Sequence, residues 1–315
     1  MDYFSKLDKI IAKERPKLKE SSRNLYIRNI KKLSKLDNDK GDINFLMDFN
    51  KVEKLLEDKS NHTKKTYYAS IVVVLKALKE SDEIIKKYSD AMYNLQEKYE
   101  KDITKQEKTE KQNKNWLDFD QLVSVMVDLR RLVFYKKLLQ KEKLNKAELM
   151  LLQQWLVSSL YLLEPEQNPP VRLSYATMKI IKFKDYEKIE DKKDNYLVIK
   201  SRNNKFFSFN DYKTSGSYGT KEIRVGSKLN TVLNHWLKYN KTGNLLLNSK
   251  LEPMNNNGLT KFINKIFEKT GKSISVSMIR HSYLSNRYKA DQEDRQKISE
   301  HMLHSTSEQT NYIKK

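Results

Sequence analysis

Apolar residues recur at spacings of three and four along most of the chain, and one region breaks that rhythm. In SSRNLYIRNIKKLSKL, Leu25, Ile30 and Leu33 lie on or near one face, with Lys and Arg between them. This predicts an amphipathic helix with Ser21 or Ser22 as its cap. The stretch from Ile43 to Asp58 repeats the pattern with Phe45, Leu46, Phe49, Val52 and Leu55. HTKKTYYASIVVVLKALKE predicts a helix that starts at a capping Thr63 and buries Ile71, Val74, Leu75 and Leu78. A long helix is expected from about Glu83 to Thr104. QEKTEKQNKN then carries no apolar residue in ten, which predicts a linker. After Trp116 and Leu117, Asp118 is placed to cap a helix through Val133. From Lys146 to Leu163 the chain is apolar nearly all round (LMLLQQWLVSSLYLL), the mark of a core helix. The rhythm changes at NYLVIK, KFFSFN and KEIRV, short β-rich runs that predict a small antiparallel sheet. Helical spacing resumes in LNTVLNHWLKY, NGLTKFINKIFEKT, SVSMIRHSYLSNRY and QEDRQKISEHML. The expected fold is mainly α with a small antiparallel β-sheet, an α+β chain. A helical domain would span 1–105, a linker 106–115 and a second domain 116–315.

Composition adds a partner class. The 315 residues carry a formal net charge of +21, from 62 Lys plus Arg against 41 Asp plus Glu. Such an excess repels itself and is relieved by a polyanion, with nucleic acid the leading candidate. No apolar run is long enough to span a membrane. The absence of cysteine excludes disulfides and thiolate metal sites and fits a reducing compartment. The N-terminal MDYFSKLDKIIAKERPK lacks the apolar core of a signal peptide. There is no Gly-rich phosphate loop followed by Lys and Ser or Thr, which argues against a nucleotide-driven motor. His301 and His304 share a face three residues apart, with His281 nearby in sequence, but no third ligand pair accompanies them, so no metal site is expected.

Four segments of the second domain hold candidate chemistry. They are PPVRLSYATMKI around Arg172, FNDYKTSGSYGTKEIRV around Lys213, SVSMIRHSYLSNRY around Arg280, and HMLHSTSEQTNYIKK with His304 and Tyr312. Each alone has a structural explanation: a solvated turn, a basic hairpin tip, a core helix, one tyrosine among 18. In order and spacing the set resembles the tyrosine recombinases, the family of phage integrases and Xer-type resolvases. Arg172 matches the family's first Arg after a buried helix, and Lys213 its hairpin Lys. Arg280-His281 matches the end of the H-x-x-R-H helix, His304-Ser305 the G-H-S motif, and Tyr312 the nucleophile. The 32 residues from Arg280 to Tyr312 are the usual family separation. PPVRLSYATM and YKTSGSYG are similar to recombinases of large DNA viruses and virophages, which would place the protein in a host nucleus or viral factory; otherwise cytoplasm or nucleoid is expected. The departures are Ser277 in place of the motif histidine, Leu303 in place of the Gly of G-H-S, and Tyr175 where an acidic residue is common.

The resemblance implies cleavage and rejoining of DNA through a 3′-phosphotyrosine. Arg172 and Arg280 would clamp the phosphoryl oxygens, since guanidinium is always charged and donates paired hydrogen bonds. His304 would be a third donor and Lys213 the general acid for the 5′ oxygen. Gly216 and Gly219 would let the Lys213 hairpin move. With Ser277 unable to act as a base, the acceptor of the phenol proton is His281, His304 or water. The clamp supplies its charge from side chains, so neither cofactor nor metal is expected. Lys64, Lys65 and Thr66 would meet DNA phosphates from a helix start. The expected partner is double-stranded DNA, held between the two domains, with a monomer off DNA and a homotetramer on two sites. Alternatives are a type IB topoisomerase, a telomere resolvase, or a DNA-binding protein whose site has decayed.

Overall fold

The structure is a computed structural model that describes residues 3–37, 43–104, 107–287, 292–305, 308, 309 and 312. The chain divides into two compact units, Met1–Lys105 and Gln106–Lys315. No helix among the described residues is long and apolar enough to cross a membrane.

The first unit is helical: α1 (Tyr3–Glu14), α2 (Glu20–Leu36), α3 (Phe49–Leu55), α4 (Asn61–Leu78) and α5 (Asp82–Thr104). Its core is centred on α4, which packs against α1, α2 and α5 and buries Tyr68, Ile71, Val74 and Leu75. Ser70 sits in that core with its polar atoms satisfied. Its hydroxyl donates to the Thr66 carbonyl at 2.7 Å and accepts from Asn29 Nδ2 at 2.9 Å. Three boundaries differ from expectation. The Ile43–Asp58 stretch is broken at Asp48, whose carboxylate accepts from the Lys51 amide at 3.0 Å and starts α3 afresh. α4 begins at a Ser60 cap, three residues before Thr63, and α2 begins at Glu20 behind Lys19 with no side-chain cap.

The second unit opens within the segment expected as a linker. Residues 110–115 form a short helix, α6 (Glu110–Asn115). The local reason is a capping box: Thr109 Oγ1 accepts from the Gln112 amide, and Gln112 Oε1 accepts from the Thr109 amide at 2.9 Å. α6 is fastened to the second unit by Lys272 Nζ on the Lys114 carbonyl and by the Ser273 amide on Asn115 Oδ1, both at 2.7 Å.

There follow α7 (Phe119–Tyr135), α8 (Lys146–Leu162), β1 (Lys179–Lys182), α9 (Phe183–Tyr186), β2 (Tyr196–Ser201), β3 (Asn204–Phe209), α10 (Ser215–Tyr218), β4 (Lys221–Arg224), α11 (Ser227–Tyr239), α12 (Asn256–Phe267), α13 (Val276–Asn286) and α14 (Gln292–His301). α8 is the core helix, packed against α7, α11 and α12. Its one awkward residue, buried Gln153, behaves as a strand would: it donates to the Leu247 carbonyl and accepts from the Leu247 amide, both at 2.8 Å. The sheet has four strands in the order β1-β2-β3-β4. β2, β3 and β4 are antiparallel as expected, but β1 adds to the edge in parallel, with Lys179 opposite Tyr196. The sheet is therefore mixed.

Candidate active site

Arg280 lies in the middle of α13, which Ser275 starts by accepting the Met278 amide at 3.3 Å. Its neighbours Val276, Ile279, Tyr283 and Leu284 face the core, and the helix carries the arginine inward with them to 1% exposure. Burial pushes its guanidinium down to about 10, so it remains charged at neutral pH. It meets Tyr312. Nη1 donates to the phenol oxygen at 2.6 Å, and the guanidinium carbon lies 4.1 Å from the ring centre.

Arg172 reaches the same ring from a different element. It caps the short turn Leu173–Tyr175 that follows α8, and Tyr161 on α8 donates to its carbonyl at 3.0 Å. Its guanidinium carbon lies 5.8 Å from the Tyr312 ring centre. Nη2 donates to Glu308 Oε1 at 3.1 Å, and Lys213 Nζ lies 3.9 Å from the same oxygen. Lys213 is otherwise solvated, with 64% of its side chain exposed. It sits between β3 and α10 on a loop tied down by Thr214, whose hydroxyl donates to the Leu303 carbonyl at 3.1 Å. Gly219 closes that loop at φ +65° and ψ −159°, a conformation open essentially to glycine alone.

His304 is placed by the end of α14. The Leu303 amide donates to the Glu300 carbonyl at 3.1 Å and the His304 amide to the Ser299 carbonyl at 3.2 Å. These two bonds, with Leu303 at φ +58°, make the left-handed helix stop that glycine usually supplies. Leu303 stands where the resemblance has Gly, and it is accepted because its side chain is buried in the core. His304 is buried, with its ring centre 5.5 Å from that of Tyr312. Nδ1 pairs with the Ser305 carbonyl at 2.8 Å; a carbonyl only accepts, so Nδ1 carries the hydrogen. Burial, and then Arg280, push the ring down to about 3. It is neutral at pH 7, and Nε2 is a bare acceptor. The expected donor role for His304 therefore requires it first to take up a proton.

His281 is committed elsewhere. Nδ1 pairs with the Tyr312 main-chain carbonyl at 2.7 Å, and Nε2 lies 3.2 Å from Gln112 Nε2. Ser277 is exposed on the first turn of α13. His301 is exposed while His304 is buried, and no group of three or more metal-ligating side chains occurs among the described residues. In the first unit, Lys64, Lys65 and Thr66 are half-buried. Lys65 is turned onto α5, bonded to Gln96 Oε1 and 5.8 Å from the Tyr99 ring centre. Thr66 donates to the His62 carbonyl at 2.9 Å.

Tyr312, Arg172, Arg280 and His304 thus converge, and Lys213 joins them through Glu308. Among the described residues here, three cations (Arg172, Arg280, Lys213) face one carboxylate. The nitrogens Arg172 Nε, Arg280 Nε, Arg280 Nη2 and His304 Nε2 are buried without a partner. Unsatisfied buried polar atoms are costly; the three guanidinium nitrogens are donors and suit an incoming group rich in anionic oxygen, while His304 Nε2 is an acceptor awaiting a proton. Glu308 was not foreseen from sequence. Its signal is a position four residues before Tyr312, a spacing that puts two helical side chains on one face. Gln112 was missed because its segment holds no apolar residue, although Thr109-x-x-Gln112 is a capping-box pattern.

No protein-family model matches the chain, and no curated protein matches it. Among solved structures it is similar to one described as the crystal structure of XerA recombinase. The identity is 13%, the TM-score 0.41, and the match covers 99% of this chain and 93% of that one. At that identity and score the likeness assigns no role to any residue.

Proposed function

We propose that the protein is a DNA strand-transfer enzyme of the tyrosine recombinase kind. The observation that carries this reading is the 2.6 Å bond from buried Arg280 to the Tyr312 hydroxyl, in a pocket with spare cationic donors. A guanidinium on the phenol oxygen, fixed before substrate arrives, stabilises negative charge developing there.

The scissile phosphate takes the place of the Glu308 carboxylate between Arg172 and Lys213, and the unpaired guanidinium nitrogens close on its oxygens. The Tyr312 oxygen attacks phosphorus, forming a 3′-phosphotyrosyl bond as the bond from phosphorus to the 5′ oxygen breaks. His304 Nε2, bare and unpaired, takes the phenol proton once the negative charge of the bound phosphate offsets Arg280 and raises the ring's proton affinity; His281 has both ring nitrogens engaged. Once protonated, His304 becomes a donor to the phosphoryl group. Lys213 supplies a proton to the leaving 5′ oxygen. Reversal, with a 5′ hydroxyl attacking the phosphotyrosine, reseals a strand without ATP. In exchange between partners, four copies would act on two duplexes. Lys64, half-buried in the first turn of α4, would be a phosphate contact of the first unit.

The test is a duplex nicked just beyond the cut site, so that the leaving fragment diffuses away and the adduct accumulates. Wild type with EDTA present should give a denaturant-resistant protein–DNA adduct, and Tyr312→Phe none. DNA binding without an adduct would instead support a decayed DNA-binding protein, the reading that the loss of a base at Ser277 favours. Relaxation of any supercoiled plasmid would point to a type IB topoisomerase, and hairpin ends made from one inverted repeat to a telomere resolvase.

A further inference from the structure

The capping box of α6 and the proposed nucleophile are joined by three hydrogen bonds whose polarity is dictated from both ends. At one end the Thr109 amide can only donate, and it donates to Gln112 Oε1 at 2.9 Å. This orients the Gln112 amide and turns its NH2 group toward His281 Nε2, 3.2 Å away. At the other end the Tyr312 carbonyl can only accept, so His281 Nδ1, 2.7 Å away, carries the hydrogen. A neutral imidazole has one N–H and one bare nitrogen. Both ends require the same tautomer, with hydrogen on Nδ1 and a lone pair on Nε2. The ring is also held by contact, its centre 4.8 Å from the Tyr312 ring centre.

The chain has a rigid base. α6 is anchored by its Lys114 carbonyl and Asn115 side chain to Lys272 and Ser273, in the connection that leads into α13. α13 carries both His281 and Arg280. Arg280 therefore holds the phenol oxygen of Tyr312 while His281 holds its main chain. A side chain pinned at both ends loses little freedom when it attacks, which is where positioning lowers a barrier.

We propose that Gln112 and His281 are positioning residues that hold Tyr312 by its main-chain carbonyl through a hydrogen-bond chain with a single allowed polarity. The proposal rests on reading Tyr312 as the nucleophile. It adds a role for His281 other than proton acceptor, and one for the segment where the second unit begins. Neither residue touches the reacting atoms.

Two kinds of measurement test it. The first needs no catalysis. In DNA-free protein the imidazole nitrogen signals of His281 should show a protonated Nδ1 and an unprotonated Nε2. In Gln112→Leu that preference should weaken. The second is the single-turnover rate of adduct formation on the nicked duplex at saturating DNA. His281→Leu should slow it by between about tenfold and about a hundredfold, with DNA affinity and thermal midpoint unchanged. His281→Asn, whose amide can still donate to the Tyr312 carbonyl, should recover most of the rate, and Gln112→Leu should lie between. A protonated Nε2, a wild-type rate in His281→Leu, or an Asn variant as slow as Leu with a lowered thermal midpoint would overturn the proposal. If wild type forms no adduct, the nucleophile reading falls by itself. The polar chain is then judged on the nitrogen signals and on deuterium uptake by the peptide carrying Tyr312. Uptake rises in His281→Leu if the chain holds that backbone, and equal uptake refutes it.

Discussion

Glu308 is the residue whose removal has the least obvious sign. Its carboxylate accepts from Arg172 and lies near Lys213, the two cations expected to receive phosphate. Both side chains of the Arg172 pair are about a third exposed, so solvent screening weakens the bond. In Glu308→Gln the competing charge is gone, and DNA affinity should rise by about three- to tenfold. Weaker binding would show that Glu308 orders the site and does not compete with the phosphate. His304 makes a prediction about pH. Its ring is held near 3 in the folded chain and returns to about 6.5 on unfolding. Between those values the unfolded state binds a proton that the folded state refuses, so stability is whole above about pH 6.5 and falls as pH drops toward 3. The loss is up to a few kcal/mol. Chemical denaturation of wild type and His304→Gln at several pH values isolates it: the difference should shrink on acidification. A constant difference would mean that His304 is not buried as a neutral ring.

At the scale of elements, the end of α14 sets backbone strain against burial. A left-handed conformation costs a residue other than glycine about 1 kcal/mol, while removing a buried leucine side chain costs roughly 2–5 kcal/mol. Burial wins at Leu303, so both Leu303→Gly and Leu303→Ala should destabilise. Glycine should be the milder by about 1 kcal/mol, the reverse of their order inside a helix. Thermal unfolding checks this, and an alanine variant equal to or better than glycine would contradict it. The elements also show what could be read from sequence. α8 was legible because residues apolar on every side have one home, the core. The start of α7 was legible because Asp118 carries its capping partner Gln121 three residues on, whose Oε1 accepts the Asp118 amide at 2.9 Å. β1 was not legible: Lys-Ile-Ile-Lys is too short to show alternation, and its parallel partner lies beyond an intervening helix. α6 was not legible because its stability comes from capping and from tertiary bonds at Lys114 and Asn115, to which hydrophobic patterning is blind. The same blindness hid Glu308. The arginines and Tyr312 could be named from their order along the chain, but the partners that neutralise or hold them lie elsewhere in sequence and appear only on folding.

For the whole molecule, the net charge of +21 is the dominant fact. Binding driven by Lys and Arg on phosphates releases counterions, so affinity should fall by roughly a thousandfold or more between about 50 and 200 mM salt if six or more phosphates are neutralised. Titrations of one duplex at several salt concentrations measure the slope. A flat dependence would contradict electrostatic DNA binding. The charge alone does not separate a strand-transfer enzyme from a protein that only coats DNA. Chemistry at one atom does. The most direct measurement is to trap the complex on the nicked duplex, trim the DNA with nuclease and locate the remaining nucleotide by peptide mass spectrometry. Strand transfer by Tyr312 leaves a 3′-phosphonucleotide on its oxygen, absent in Tyr312→Phe. A remnant on another residue, or none on authentic substrate that the protein demonstrably binds, would contradict it.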